Sequence, residues 1–296
     1  MLFCDSMSKN VVVFGAAGQL GIELVQVLKQ RGYTVHPFNR ALVDITNLAL
    51  LEQTLGPLDP WAVINSAAYN QVDVAEQEPQ AAYAANALGV RNLAVACRQL
   101  DALLVHFSTD YVFDGKLGRP YVESDRTHPL GAYAVSKLAG ELYAQAYLEN
   151  PLIIRTSGVF GPGGLRTARG NFVELMLRLA QSGQPIRVVE DHVASPTYAP
   201  ALAAVTVDLM ESPHRGVFHA GGGEPISWFD FARKIFQTAG LTPELRPTNE
   251  REYRTAARRP KYSALTNARL AEIGAAPMPP LDEAIATYMK ERARYK

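Results

Sequence analysis

Tyr133 and Lys137 stand four residues apart, about two dozen residues beyond Ser108 and Thr109. That spacing puts both side chains on one helical face. An ammonium held beside a phenol favours the phenolate, so the expected phenol is more acidic than its free value of about 10. Such a group can protonate a carbonyl oxygen. Ser108-Thr109-Asp110-Tyr111-Val112-Phe113 follows the apolar run Leu103-Leu104-Val105-His106-Phe107. The run reads as a buried strand. Hydroxyls and a carboxylate at its end suit a site at the carboxyl edge of an open sheet.

A protonated carbonyl needs a hydride, and the N-terminal stretch offers a place for its carrier. Gly15, Gly18 and Gly21 form G-x-x-G-x-x-G between the apolar strand Val11-Val12-Val13-Phe14 and an amphipathic helix reaching about Lys29. Glycines there permit a tight turn, close approach to a pyrophosphate and close packing of helix on strand. The helix start presents the N–H groups of Gln19 and Leu20 to phosphates. The second strand ends in Asn39-Arg40, not in the carboxylate that would take the ribose 2′-hydroxyl of NAD. Arg40 can meet a 2′-phosphate, which points to NADPH, with NADH left open. Arg40 can also be a plain solvated arginine. Asp44-Ile45 can contact the adenine, with Asp44 accepting from its amino group, or Asp44 can cap a helix at Thr46. Ser66, Ala67, Ala68 and Tyr69 follow a third strand, where small residues let backbone approach a cofactor or simply make a strand-end turn.

These groups need a frame. Strand-like segments at 11–14, 33–38, 62–65, 103–107 and 152–155 alternate with helical ones. The alternation argues for an α/β fold, a doubly wound parallel sheet of the Rossmann kind. Helices are expected over 46–55, over 79–99 and after the break at Pro129. After Thr156 the rhythm loosens into a glycine-rich loop, helices over 171–182, 199–210 and 227–239, and strands at 186–189 and 216–220. The expected organisation is a flexible N-terminal tail over 1–10 and a dinucleotide-binding Rossmann domain over 11–157. A smaller, mainly substrate-binding α/β region over 158–296 sends some segments back to the Rossmann sheet. The Pro- and Arg-rich stretch from Thr242 to Tyr262 suits a substrate-facing lid or loop better than core.

The chain resembles the extended short-chain dehydrogenases/reductases, and within them the dTDP-4-dehydrorhamnose reductase family. The likeness spans about Val11 to the C-terminus. It rests on Gly15 to Gly21, Asn65 to Ala68, Ser108 to Phe113, Tyr133 to Lys137, Arg155-Thr156-Ser157, Gly170-Asn171-Phe172 and Arg259-Pro260 with Ser263 and Leu265. Ser-Thr-Asp-Tyr-Val-Phe is its most specific string. The resemblance implies that Thr109 binds the C4 carbonyl oxygen of a nucleotide-linked 4-keto-6-deoxy sugar and that Tyr133 is the proton donor. Lys137 would hold the nicotinamide ribose, Asp110 and Asn171 would contact the sugar, and Arg259 the diphosphate. The implied conversion is dTDP-4-dehydro-L-rhamnose to dTDP-L-rhamnose with NADPH. One position departs from the pattern. Gly158 stands where the family usually places a sugar-packing tryptophan, and losing an indole removes a large contact surface. Phe160 or Tyr198 could fill that space, or the sugar could be a different one. Two other readings share the scaffold: a regulatory subunit resembling the methionine adenosyltransferase beta subunit, and a sugar epimerase with tightly held NAD.

The totals are compatible with all three. The chain has 296 residues, 48% of them hydrophobic, with 29 basic and 29 acidic side chains. Zero net charge gives no nucleic-acid footprint, and no run approaches the length of a membrane span. Cys4 and Cys97 cannot make a disulfide framework, which fits a reducing, cytoplasmic setting. His192 and His219 have no metal-ligand spacing; they are expected to be satisfied structural histidines, and no metal is expected. A homodimer is compatible with the family, but no seam for one is legible.

Overall fold

The computed structural model describes residues 9–294. The expected tail therefore lies outside the described residues up to position 8, while Asn10, placed in it, opens the first strand. Six strands form one parallel sheet: β1 (Asn10–Phe14), β2 (Thr34–Phe38), β3 (Ala62–Asn65), β4 (Leu103–Thr109), β5 (Leu152–Thr156) and, numbered later in the chain, β8 (Gly216–His219). Their order is β2-β1-β3-β4-β5-β8. All four residues of β3 and all five of β5 are buried. Strands buried on both sides in this way are what a parallel sheet covered on both faces requires.

Helices supply that cover. On one face Leu24 and Leu28 of α1 (Gln19–Gln30) and Leu202 of α7 (Ala199–Glu211) pack against Val11, Val13 and Ile64. On the other, Leu51 and Leu55 of α2 (Leu48–Leu55) join Val90 and Leu93 of α4 (Gly89–Gln99) against Val12, Phe14 and Val63. The helical stretch before α4 is not uniform. α3 (Pro79–Tyr83) passes through a π turn at Ala84–Leu88 into α4. α5 (Ala132–Tyr147) runs between β4 and β5. A buried ion pair ties it to the sheet: Arg155 donates to both oxygens of Glu141 at 2.9 and 2.7 Å.

Beyond β5 the chain builds a second apolar cluster. Phe160, Val173 of α6 (Phe172–Gln181), Ile186 of β6 (Ile186–Val189), Phe231 of α8 (Trp228–Ala239) and Tyr288 of α10 (Leu281–Ala293) meet there. β6 pairs in parallel with β10 (Leu245–Thr248), and β7 (Val193–Ala194) pairs antiparallel with β9 (Ile226–Ser227). α9 (Ala268–Glu272) follows β10. The stretch expected to be a lid is thus partly a sheet strand, because Leu245 to Thr248 take up backbone pairing with β6. Ser227 caps α8, its Oγ accepting from Asp230 N at 3.0 Å.

The strand order reverses between β1 and β3, since β2 lies on one side of β1 and β3 on the other. Open α/β sheets bind ligands outside the carboxyl ends of the strands at such a switch point.

Candidate active site

At that switch point the turns after β1 and β3 touch. Gly15 has φ +75, and a Cβ on it would lie 2.5 Å from Ala67 N and 2.6 Å from the carbonyl carbon of Ser66. A Cβ on Gly21 would lie 2.2 Å from Gly15 O. Neither position admits another residue, and the turn stays close to the start of α1. Gly18 precedes that helix without a capping side chain. The first N–H groups of a helix, here those of Gln19, Leu20 and Gly21, have no intrahelical acceptor. This is a cradle of the size and polarity a pyrophosphate fits. The Gln19 side chain is engaged elsewhere, donating to Val159 O at 2.8 Å and accepting from Asn171 Nδ2 at 2.9 Å.

The adenosine end is more exposed. Asn39 Oδ1 accepts from Leu42 N at 3.1 Å, and Arg40 reaches Asp44 at 3.2 Å with its side chain 86% exposed. An arginine so placed is available to a 2′-phosphate. Asp44 also holds its own turn. Its Oδ1 accepts from both the N–H and the hydroxyl of Thr46, at 2.9 and 2.8 Å. The true cap of α2 is Asn47, accepting from Leu50 N at 3.1 Å. Ile45 is buried and leans on Gly89. Ser66 donates to Phe14 O at 2.7 Å, and Tyr69 is clamped by Asn86, which accepts from its N–H and donates to its carbonyl at 2.8 and 2.9 Å. Ala67 N donates to Asn65 Oδ1 at 3.1 Å, and Ala68 continues the same turn.

The chemistry-bearing groups converge at the end of β4. Thr109 is buried, and its hydroxyl donates to Asp110 Oδ1 at 3.1 Å. The half-buried Tyr133 lies within hydrogen-bonding reach of Thr109. Burial pushes its phenol up to about 12, with the Thr109 hydrogen bond opposing and Asp110 reinforcing. This corrects the expected direction. The Lys137 ammonium is buried one helical turn on and donates to Phe107 O at 2.5 Å. Burial lowers the Lys137 ammonium to about 8. Asp110 Oδ2 accepts from Ser157 at 2.9 Å and Ser263 at 2.5 Å. Burial raises its carboxyl to about 6, against those hydroxyl hydrogen bonds.

Tyr111 meets Tyr133 edge to face, centroids 6.1 Å apart, and shares a hydrogen bond with Arg259. Arg259 also forks onto Asp73 at 3.1 and 2.6 Å. Tyr111, Arg259, Asp73, Asn70 and Arg169 line a cavity of about 600 Å³ beside the phenol. Arg169 donates to Asn70 at 2.9 Å. Sequence reasoning named Arg259, Ser157 and Ser263, but not Asp73 or the Tyr111 contact.

Asn171, an expected sugar contact, is engaged within the protein. Its Oδ1 caps α6 by accepting from Glu174 N at 3.0 Å, and its Nδ2 donates to Gln19 at 2.9 Å and Gly161 O at 3.2 Å. Gly158 lies beside Ser157 with φ +51, and neither Phe160 nor Tyr198 occupies its side-chain space: a Cβ there would lie 3.1 Å from the Trp228 ring. His219 is satisfied, sharing a hydrogen bond with Tyr121 O at 3.1 Å. His192 is not, since its buried Nε2 has no partner. Among the described residues no three His, Cys, Asp or Glu side chains gather as a metal site, and no helix is long and apolar enough to cross a membrane.

Comparisons with known proteins agree with this geometry. A family model described as the RmlD substrate binding domain matches residues 9–294. The chain is 38% identical to the spore coat polysaccharide biosynthesis protein SpsK of Bacillus subtilis, covering 96% of this chain and 98% of the relative. It is 39% identical to the dTDP-4-dehydrorhamnose reductase of Mycobacterium tuberculosis, covering 95% and 92%. The crystal structure of dTDP-4-dehydrorhamnose reductase from Bacillus anthracis in complex with NADP superposes with a TM-score of 0.92 at 37% identity, covering 96% of this chain and all of that one. With its glycine cradle, its Thr109–Tyr133–Lys137 cluster and these full-length likenesses, the chain belongs to the dTDP-4-dehydrorhamnose reductase family.

Proposed function

We propose that this protein is an NADPH-dependent reductase of a dTDP-linked 4-keto-6-deoxy sugar, with dTDP-4-dehydro-L-rhamnose the first candidate and dTDP-L-rhamnose its product. The observation that carries the reading is the placement of Thr109, Tyr133 and Lys137 at the end of β4, on the same sheet edge as the Gly15–Gly21 cradle. The family relatives named as dTDP-4-dehydrorhamnose reductases support it, as does the Bacillus anthracis enzyme solved with NADP.

Bound NADPH supplies the hydride that reaches the sugar C4. The chain supplies the rest. Gly15 and Gly21 let backbone approach the pyrophosphate, and Arg40 faces the 2′-phosphate. Lys137 holds the nicotinamide ribose while anchored on Phe107 O. Thr109 and Tyr133 take the C4 oxygen between them, where charge develops. Tyr133 gives that oxygen its proton. A phenol at about 12 is fully protonated at neutral pH. It is still a far stronger acid than water, at about 16, so proton transfer to a forming alkoxide is downhill. Arg259 faces the diphosphate from the cavity wall.

The test is NADPH oxidation, followed by absorbance, with a panel of dTDP-linked 4-keto sugars. Turnover with at least one of them, and its loss by about 10²-fold or more in Tyr133→Phe with NADPH binding retained, is the expected result. No oxidation with any 4-keto sugar, or full turnover in Tyr133→Phe, overturns it.

A further inference from the structure

The loop between β5 and α6 spans the switch point of the sheet. At its base Gly163 and Gly164 lie so close to Gln19, the first residue of α1, that a Cβ on either would collide with it. Gly163 N also donates to Glu23 of the same helix at 2.7 Å. Further along, Thr167 ties the loop to itself: its hydroxyl donates to Gly164 O at 2.9 Å and accepts from Gly170 N at 3.2 Å. Gly170 takes φ +68 and turns the chain towards α6. The tip framed in this way is Ala168-Arg169. Arg169 Nη1 donates to both the carbonyl and the side-chain oxygen of Asn70, each at 2.9 Å. Asn70 belongs to the segment after β3. The loop is therefore fastened on both sides of the switch point, to α1 at its base and to the segment after β3 at its tip.

The two fastenings differ in chemistry. The base is packed backbone, whereas the tip is a cation resting on neutral oxygens. The cavity that Arg169 lines carries two guanidiniums, of Arg169 and Arg259, and one carboxylate, of Asp73. That carboxylate is taken up by Arg259, through the fork at 3.1 and 2.6 Å. Among the described residues the hydrogen bonds of Arg169 go to Asn70 alone. The cavity thus holds one positive charge in excess, and Arg169 carries it. The charge is felt at the reacting end, because Arg169 acts on the Tyr133 phenol against the larger effect of burial. A guanidinium offers five N–H donors in a fork that fits phosphate oxygens. A hydrogen bond between two charged groups is roughly twice as strong as one between neutral groups, so a phosphate can displace Asn70.

We propose that Arg169 is a substrate-binding residue that changes partners: it leaves Asn70 and, together with Arg259, takes the diphosphate of the sugar nucleotide. This rests on the nucleotide-sugar reading above. It makes the tip of the loop after β5 part of the substrate site, supplied with the charge that Arg259 has already given to Asp73.

The test is calorimetry of dTDP and dTDP-glucose on the parent protein, Arg169→Ala and Asn70→Ala, with NADPH as the control ligand. Arg169→Ala should weaken both diphosphates by about tenfold or more and leave NADPH unchanged. Asn70→Ala removes a competing acceptor, so both diphosphates should bind it at least as tightly as the parent. Parent affinity for dTDP in Arg169→Ala overturns the assignment, even where dTDP-glucose is weakened. Equal losses in Arg169→Ala and Asn70→Ala, or a loss of NADPH affinity in Arg169→Ala, mark a loop fastener and overturn it too. The reductase reading stands in each of these cases. Absence of binding by both diphosphates to the parent overturns that reading and the assignment together.

Discussion

Asp110 is the residue whose environment makes the sharpest demand. A carboxyl of this kind titrates near 4 in an unfolded chain, but burial raises it to about 6 here, although three hydroxyls donate to it. The folded state therefore holds a proton that the unfolded state has released between those two values. Stability from this group is complete below about 4 and is lost as pH rises through about 6. Asp110→Asn has no proton to release. Melting temperatures from pH 4 to 7 should thus fall less with rising pH in Asp110→Asn than in the parent protein. Parallel curves would show that the carboxyl is not raised. The same variant should slow turnover, because Asp110 fixes the rotamer of the Thr109 hydroxyl through the 3.1 Å contact. The residues that do this work were legible unequally. Ser108 to Phe113 and Tyr133 to Lys137 are contiguous, so strand-end and helix spacing carry them. Ser263 lies 153 positions from Asp110, and Asp73 lies 186 from Arg259. No local period encodes pairs so distant; only the return of the chain brings them together. The opposite sign of the Tyr133 shift has the same origin. Spacing places the ammonium on the right face, but not the burial that raises the phenol, nor the distant groups around it.

At the scale of elements, the strand–helix alternation was readable because each buried parallel strand carries a run of three or more apolar residues. The short strands β7, β9 and β10 were not, since two to four residues give no period to count. The π turn is likewise invisible in sequence, yet it sets the position of α5. Asn86 in that turn donates to Ser136 Oγ at 3.0 Å and clamps Tyr69. Gly140 lets the two elements close: a Cβ there would lie 2.2 Å from Asn86 O. The contact is to backbone, so nothing flexible can yield. Gly140→Ala should push α5 outward and destabilise by about 1–3 kcal/mol, as overpacking does. Tyr133 and Lys137 ride on that helix, so turnover should fall with the melting temperature, although residue 140 touches neither. A melting temperature equal to the parent's would show that α5 is not held by this close approach.

Across the whole molecule, the sheet and the later cluster meet along a seam of polar ties. Gly163 N donates to Glu23 at 2.7 Å, Gln19 exchanges with Asn171 and Val159, and Arg259 forks onto Asp73. A ligand that binds both sides of such a seam stabilises the folded state by mass action, about 2.7 kcal/mol at one hundred times its Kd. In the proposed reading NADPH would contact the sheet side through the glycine cradle and Arg40. The dTDP-sugar diphosphate would meet Arg259, which arrives from the later part of the chain and is held by Asp73 on the earlier part. Thermal shifts should therefore separate the two ligands. Arg259→Ala should keep the shift produced by NADPH and lose most of the shift produced by dTDP-glucose, with KM for the sugar nucleotide raised at least about tenfold and kcat less affected. Arg259→Lys should not rescue it, because a single ammonium cannot reproduce the bidentate fork. If Arg259→Ala lost both shifts, the residue would be a structural tie whose removal opens the seam. If it lost neither, the diphosphate would be held by another group, and Arg169 on the same cavity wall would be next to replace.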